Sequence, residues 1–214
     1  MTGFFPNRLI DGYRAFRGGR FKGEQDRYRD LAATGQSPSI LLIGCVDSRV
    51  SPEVIFDAAP GEILVVRNVA NLVPPYEEGG GHHGVSASLE FAVSALHVRH
   101  IVVMGHAFCG GIKAFASHGA PLSKSDFIGK WMSQIAPAAE RIGAPQTADE
   151  AYLHQLEFAS VELALTNLMT FPFIATAVAK GELELHGAYF GVARGQLLVR
   201  NPGNGVFEPV ADRA

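Results

Sequence analysis

At 214 residues, 47% hydrophobic and 18% charged, the chain has the composition of an ordinary globular protein with one sizeable core. Its formal net charge of -3 offers no basic footprint for nucleic acid, and no apolar run approaches the ~20 residues of a membrane span. The N-terminus, Met1 to Arg8, lacks the continuous apolar stretch of a secretory signal, so a cytoplasmic protein is expected.

Taken in chain order, residues 7–35 carry spaced apolar positions (Leu9, Ile10, Tyr13, Phe16, Phe21, Tyr28, Leu31) among charges. They read as a helical arm broken at Gly18-Gly19, preceding the rest of a single domain over 1–214. Ser39 to Gly44 is a short apolar run ending at Cys45, the pattern of a strand buried on both faces, and Ser51-Pro52-Glu53 reads as a helix start. Ile63 to Val66 and Ile101 to Met104 repeat the buried-strand pattern, with a helix between them from Val85 to Val98. A long helix is expected from Asp149 to Met169, opened by a capping box at Thr147 and Glu150 and interrupted at Phe171-Pro172. A shorter helix should end at Lys180-Gly181. Leu183 to Val192 and Gln196 to Val199 suggest a terminal hairpin that turns at Ala193-Arg194-Gly195. This alternation predicts an α/β fold: a mainly parallel sheet flanked by helices, with an antiparallel edge at the C-terminus.

The chemistry concentrates in two segments, Cys45-Val46-Asp47-Ser48-Arg49 and His106-Ala107-Phe108-Cys109, which contain both cysteines of the chain. Two thiolates and one imidazole suit zinc rather than magnesium or calcium, and three protein ligands are the number of a catalytic zinc site. Each group falls near the carboxyl end of an expected strand, where open α/β sheets place their sites. Gly110-Gly111 would allow close backbone approach there. If residues 45–49 are extended, Asp47 and Arg49 project on the side of Cys45, and Arg49 can clamp the Asp47 carboxylate. Zinc with two thiolates carries no net charge, so activity is expected to rise toward alkaline pH.

Cys-x-Asp-x-Arg followed by His-x-x-Cys-Gly-Gly closely resembles the β-class carbonic anhydrases. The likeness continues through Pro60-Gly61-Glu62, Val66 to Asn71, Val73 to Tyr76, Leu89 to Ala92 and Gly105 to Lys113. The resemblance implies reversible hydration of carbon dioxide to bicarbonate by attack of zinc-bound hydroxide. It implies one zinc per subunit on Cys45, His106 and Cys109, with Asp47 and Arg49 as the catalytic dyad. Gln36 would donate a hydrogen bond to substrate, and Leu64, Val69 and Phe91 would line an apolar pocket. A homo-oligomer, a dimer or a multiple of dimers, is implied, because family sites draw residues from two subunits. Some relatives hydrolyse carbon disulfide or carbonyl sulfide at the same site. A zinc-stabilised interaction module is the non-catalytic alternative, against which Asp47 and Arg49 argue.

One subgroup of the family has a bicarbonate pocket that locks the enzyme inactive, built from a Trp, an Arg and a Tyr. Those places here hold Leu42, Arg67 and Phe190, with Tyr189 on the opposite face of its strand. An enzyme without that lock is expected. His82 and His83 read as a polar turn, and Trp131 as a packing residue on a helix.

Overall fold

The chain divides into two compact units, Met1–Ser37 and Pro38–Ala214. The computed structural model describes residues 5–79, 81, 83–117, 125–143 and 149–211. In the first unit α1 (Asn7–Gly18) and α2 (Arg20–Thr34) part at Gly19, where the paired glycines predicted a break. Neither helix has a buried residue. Phe16, Phe21 and Tyr28 instead cluster, with ring centroids 5.3 to 6.0 Å apart, and the Arg17 guanidinium lies 4.5 Å from the Phe21 ring centre.

The second unit runs β1 (Ile40–Cys45), α3 (Pro52–Ile55), β2 (Ile63–Asn68), α4 (Gly84–Glu90), β3 (His100–His106), α5 (Gly110–Ala116), α6 (Phe127–Met132), α7 (Ala136–Ile142), α8 (Glu150–Leu168), α9 (Pro172–Ala179), β4 (Glu184–Gly191), β5 (Gln196–Arg200) and β6 (Phe207–Pro209). The strands form one sheet in the order β2-β1-β3-β4-β5-β6. The pairs among β1 to β4 are parallel, and β5 and β6 add antiparallel edges. After β1 the chain leaves to one side to make β2, then returns to the other side to make β3. The switch point of the sheet therefore lies between β1 and β3, and the crevice at their carboxyl ends is the expected site.

Both faces of β1 are covered, which is why its sequence is apolar without alternation. Leu41, Ile43, Ile101 and Val103 pack with Val161, Ala164 and Leu168 of α8, Ile174 of α9 and Leu89 of α4. On the other face Leu42, Met104 and Ala188 meet Val102, Phe190 and Leu197. α8 crosses β3 so closely that a Cβ at Gly105 would sit 2.8 Å from Val161 Cγ2. No single helix among the described residues is long and apolar enough to cross a membrane.

Several expectations are corrected here. β2 is half-exposed along its whole length, because it is an edge strand rather than a central one. The Val85–Val98 helix is α-helical only to Glu90 and then widens: the Leu96 N–H donates to the Phe91 carbonyl at 3.0 Å, a five-residue turn. Ser51 precedes α3 but does not cap it, since its hydroxyl donates to Glu53 at 3.1 Å. Thr147 lies outside the described residues, and the cap of α8 is Asp149, whose Oδ1 accepts the Tyr152 N–H at 2.9 Å. β6 had no counterpart in the sequence reading.

Candidate metal centre and its carboxylate

Cys45 ends β1 and His106 ends β3, one strand over, while Cys109 follows three residues later. Since Gly44 pairs with Met104, Cys45 lies level with Gly105 and beside His106. The two sulfurs and an imidazole nitrogen lie within 4.8 Å of one another, and all three residues are buried. The donor set fits zinc on two independent observations. His106 Nδ1 sits 2.9 Å from the Ala107 carbonyl and donates to it as the Nδ1–H tautomer, which leaves Nε2, buried and without a hydrogen-bond partner, as the free lone pair. Both cysteines are free and buried, so neither is spent on a disulfide.

The electrostatics favour at least one thiolate. A hydrogen bond from Cys109 pushes the Cys45 thiol below its ordinary range against the opposing effect of burial, and His106 and the N–H groups of Asp47 and Ala70 add to this. Cys109, the donor in that pair, is pushed up by it and by burial, although the Gly111 and Ile112 N–H groups act against this. Burial opposes charge on His106, but Cys45, the Ala107 carbonyl and the Asp47 charge together outweigh burial and raise its basicity. The group thus holds protons that a metal must displace. Zinc binding near neutral pH should release about one to two protons per chain, and affinity should fall as pH drops. Calorimetry in buffers of different ionisation enthalpy checks this; proton-neutral binding would contradict it.

Asp47 and Arg49 meet, though not by the strand alternation expected. Residues 47–50 turn, with the Val50 N–H donating to the Asp47 carbonyl at 3.1 Å. The turn brings Arg49 back over its neighbour: Nε and the backbone N–H donate to Asp47 Oδ1, both at 2.9 Å, and Nη2 donates to Oδ2 at 2.7 Å. Nη2 also reaches the Phe108 carbonyl at 3.1 Å, joining the Cys45 and Cys109 segments. The Arg49 guanidinium holds the Asp47 carboxyl well below the usual carboxylate range.

The surrounding scaffold gives several residues parts that the sequence did not suggest. Arg67 donates from Nε to the Cys45 carbonyl at 2.8 Å and from Nη2 to the Asp47 carbonyl at 2.7 Å, so it fixes the ligand loop. Ala70, which offers its N–H to Cys45, is left-handed at φ 62° and fully buried. The Asn68 side chain brackets this turn, accepting the Leu72 N–H at 2.8 Å and donating to the Leu72 carbonyl at 2.9 Å. Trp131 does more than pack, since its indole N–H donates to the Val69 carbonyl at 2.7 Å. Buried Glu157 of α8 accepts the Cys109 N–H at 3.0 Å and the Tyr189 hydroxyl at 2.6 Å. Its sequence signal is weak, an acid flanked by Leu156 and Phe158 in a helix that also carries Glu150 and Glu162. Close approach holds at Gly111, where a Cβ would lie 3.0 Å from Val69 Cγ1, but at Gly110 that space is open.

The expected pocket residues are not gathered within one chain. Leu64 packs against the core beneath α8 and α9, whereas Val69 packs against the separate cluster that contains Cys45 and Cys109. Phe91 is half-exposed where α4 widens, and Gln36 is exposed in the first unit. Tyr189 and Phe190 do lie on opposite faces, the first against Glu157 and the second against the cluster of Leu42, Met104 and Ala188. His83 is exposed before α4, and His82 lies outside the described residues.

A mainly parallel α/β sheet with a Cys–His–Cys group able to hold a metal and a clamped carboxylate at its switch point is an arrangement suited to a zinc-type metalloenzyme. Residues 40–197 match the family model described as carbonic anhydrase. The chain is 36% identical over 193 residues to β carbonic anhydrase 3 of Arabidopsis thaliana, covering 88% of this chain and 74% of that one. The solved structure of the β-carbonic anhydrase CcaA superposes with a TM-score of 0.88 at 30% identity, covering 97% and 92% of the two chains. One of two tetrameric β-carbonic anhydrases from Sordaria macrospora gives 0.79 at 29%, covering 96% and 98%. The chain belongs to the β carbonic anhydrases, a family of zinc enzymes that hydrate carbon dioxide.

Proposed function

We propose that this chain catalyses the reversible hydration of carbon dioxide to bicarbonate and a proton, with one zinc per subunit held by Cys45, His106 and Cys109. The observation that carries the reading is the three-point grip of Arg49 on Asp47 beside the buried thiol pair. When bound, zinc would supply the Lewis acidity that makes water a nucleophile, increasingly so toward alkaline pH. Asp47, ionised and unable to donate, would accept a hydrogen bond from the nucleophilic oxygen and so orient it toward carbon dioxide. Arg49 keeps that acceptor charged and fixed, and its bond to Phe108 ties it to the segment carrying Cys109.

Gln36 donates to substrate, and Leu64, Val69 and Phe91 line a pocket completed by a second subunit, in a dimer or a multiple of dimers. The tetrameric Sordaria macrospora relative supports the oligomer. The two free thiols support a reducing compartment such as the cytoplasm. Carbon dioxide hydration by the purified zinc form tests the reading. A rate at background, or turnover of carbon disulfide or carbonyl sulfide alone, would contradict it.

The same geometry supports an enzyme without a bicarbonate lock. Leu42 and Phe190 belong to one apolar cluster with Met104 and Ala188, and two of the Arg67 nitrogens are engaged with backbone carbonyls. Asp47 stays ionised well below the ordinary carboxylate value of about 3.9, so its protonation does not shape activity near neutrality. The benefit of its pairing is present above that value and is lost only as pH falls through the lowered one. The pH–rate profile should climb as one simple titration and be unchanged in form by bicarbonate. A steep cooperative loss on the acid side, deepened by bicarbonate, would contradict this.

A further inference from the structure

A second set of metal-ligating side chains stands at the opposite end of the sheet. His100 opens β3 and Glu184 opens β4, and the two are register partners. His186, two residues beyond Glu184 on the same strand, projects from the same face. His100 Nδ1 and His186 Nε2 face each other at 3.2 Å, and Glu184 Oε2 is 3.7 Å from the first and 3.6 Å from the second. An ion with bonds of about 2.0–2.1 Å to nitrogen and oxygen, in tetrahedral geometry, spaces its ligand atoms roughly 3.3–3.4 Å apart. The observed triangle is close to one face of such a tetrahedron.

A hydrogen bond between the two imidazoles would explain the 3.2 Å separation alone. It would not explain a carboxylate oxygen nearly equidistant from the same two nitrogens and beyond hydrogen-bonding reach of both. Burial, and then the neighbouring His100, lower the basicity of His186, which keeps its lone pair available as a ligand must. The His100 and His186 side chains are 34% and 38% exposed, so an ion can enter and keep water on its open side.

We propose that His100, Glu184 and His186 form a second metal site, for a first-row transition dication of the zinc, nickel or copper class. Two imidazoles and one carboxylate favour that class over magnesium or calcium. Lacking thiolates and being partly solvated, the site fills after the Cys45–His106–Cys109 centre. Six residue steps along β3 at ~3.3 Å each place it roughly 20 Å from His106, too far to take part in hydration chemistry. Its effect is to tie the amino ends of β3 and β4 together, so ion binding raises thermal stability.

The test is a calorimetric titration of the one-zinc protein with nickel ion alone. The wild type should bind one further equivalent per chain and melt at a higher temperature with it. His100→Ala and His186→Ala should each lose that equivalent, and Glu184→Gln should weaken it at least about tenfold, since even an outer-shell partner is worth 10–100-fold. All three variants should keep their first zinc and an unchanged carbon dioxide hydration rate, which certifies their fold. Absence of a further equivalent in the wild type, or an undiminished one in both histidine variants, overturns the proposal.

Discussion

Replacing Cys45 or Cys109 by serine should abolish stable zinc binding and reduce carbon dioxide hydration to background. Cys45 is held toward the thiolate by Cys109, His106 and two backbone N–H groups, an arrangement that stabilises an anion on sulfur. A serine hydroxyl stays protonated there and offers a hard oxygen where a soft anion is needed. The chain has no third cysteine to substitute. We expect zinc affinity to fall by at least ~100-fold in either variant, since losing an outer-shell partner alone costs 10–100-fold. Zinc content after gel filtration and the hydration rate measure this together. Full occupancy with retained activity in either variant would remove these residues from the ligand set.

The second large effect is expected at Asp47. Asp47→Asn should keep one zinc per chain yet lose about 10²–10³-fold in kcat/KM, the scale of removing one preorganised polar contact from a reacting centre. The amide presents an N–H where the carboxylate only accepts, and the Arg49 fork loses its anionic partner. Arg49→Ala should lower kcat by a similar route, because the released carboxylate is no longer held in one orientation. Undiminished activity in Asp47→Asn with zinc in place would take the pair out of the mechanism.

What the sequence made legible follows from the physics of each segment. The apolar runs of β1 and β3, the long periodic pattern of α8 and the glycine turn of the β4–β5 hairpin are strong local signals, and they predicted the elements found. The meeting of Cys45, His106 and Cys109 was legible because soft ligands are rare and this chain spends both cysteines on one pattern. Other features depend on tertiary placement that no local pattern carries. Ile63 to Val66 looks like a buried strand whether it lies at the centre or the edge of a sheet. Asp47 and Arg49 were expected to meet through extended backbone and meet through a turn instead, because a carboxylate and a guanidinium two residues apart can pair in either conformation.

The supporting network was the least visible part. Glu157 and Cys109 are far apart in sequence, and only the crossing of α8 over the sheet makes this one of three helical acids the acceptor for the Cys109 N–H. Trp131 and Arg67 likewise acquire roles from carbonyls that left-handed Ala70 and the ligand loop present to them. Such residues hold ligand-bearing backbone in place, and their partners are backbone atoms that sequence patterns do not encode.

The most direct test of the central claim is removal and restoration of the metal, followed by carbon dioxide hydration. Chelation should bring the rate to background, and one equivalent of zinc per chain should restore it in full, with restoration tracking occupancy of the Cys45–His106–Cys109 centre. A metal-free protein that still hydrates carbon dioxide above background, or a zinc-filled centre that does not, would contradict the account.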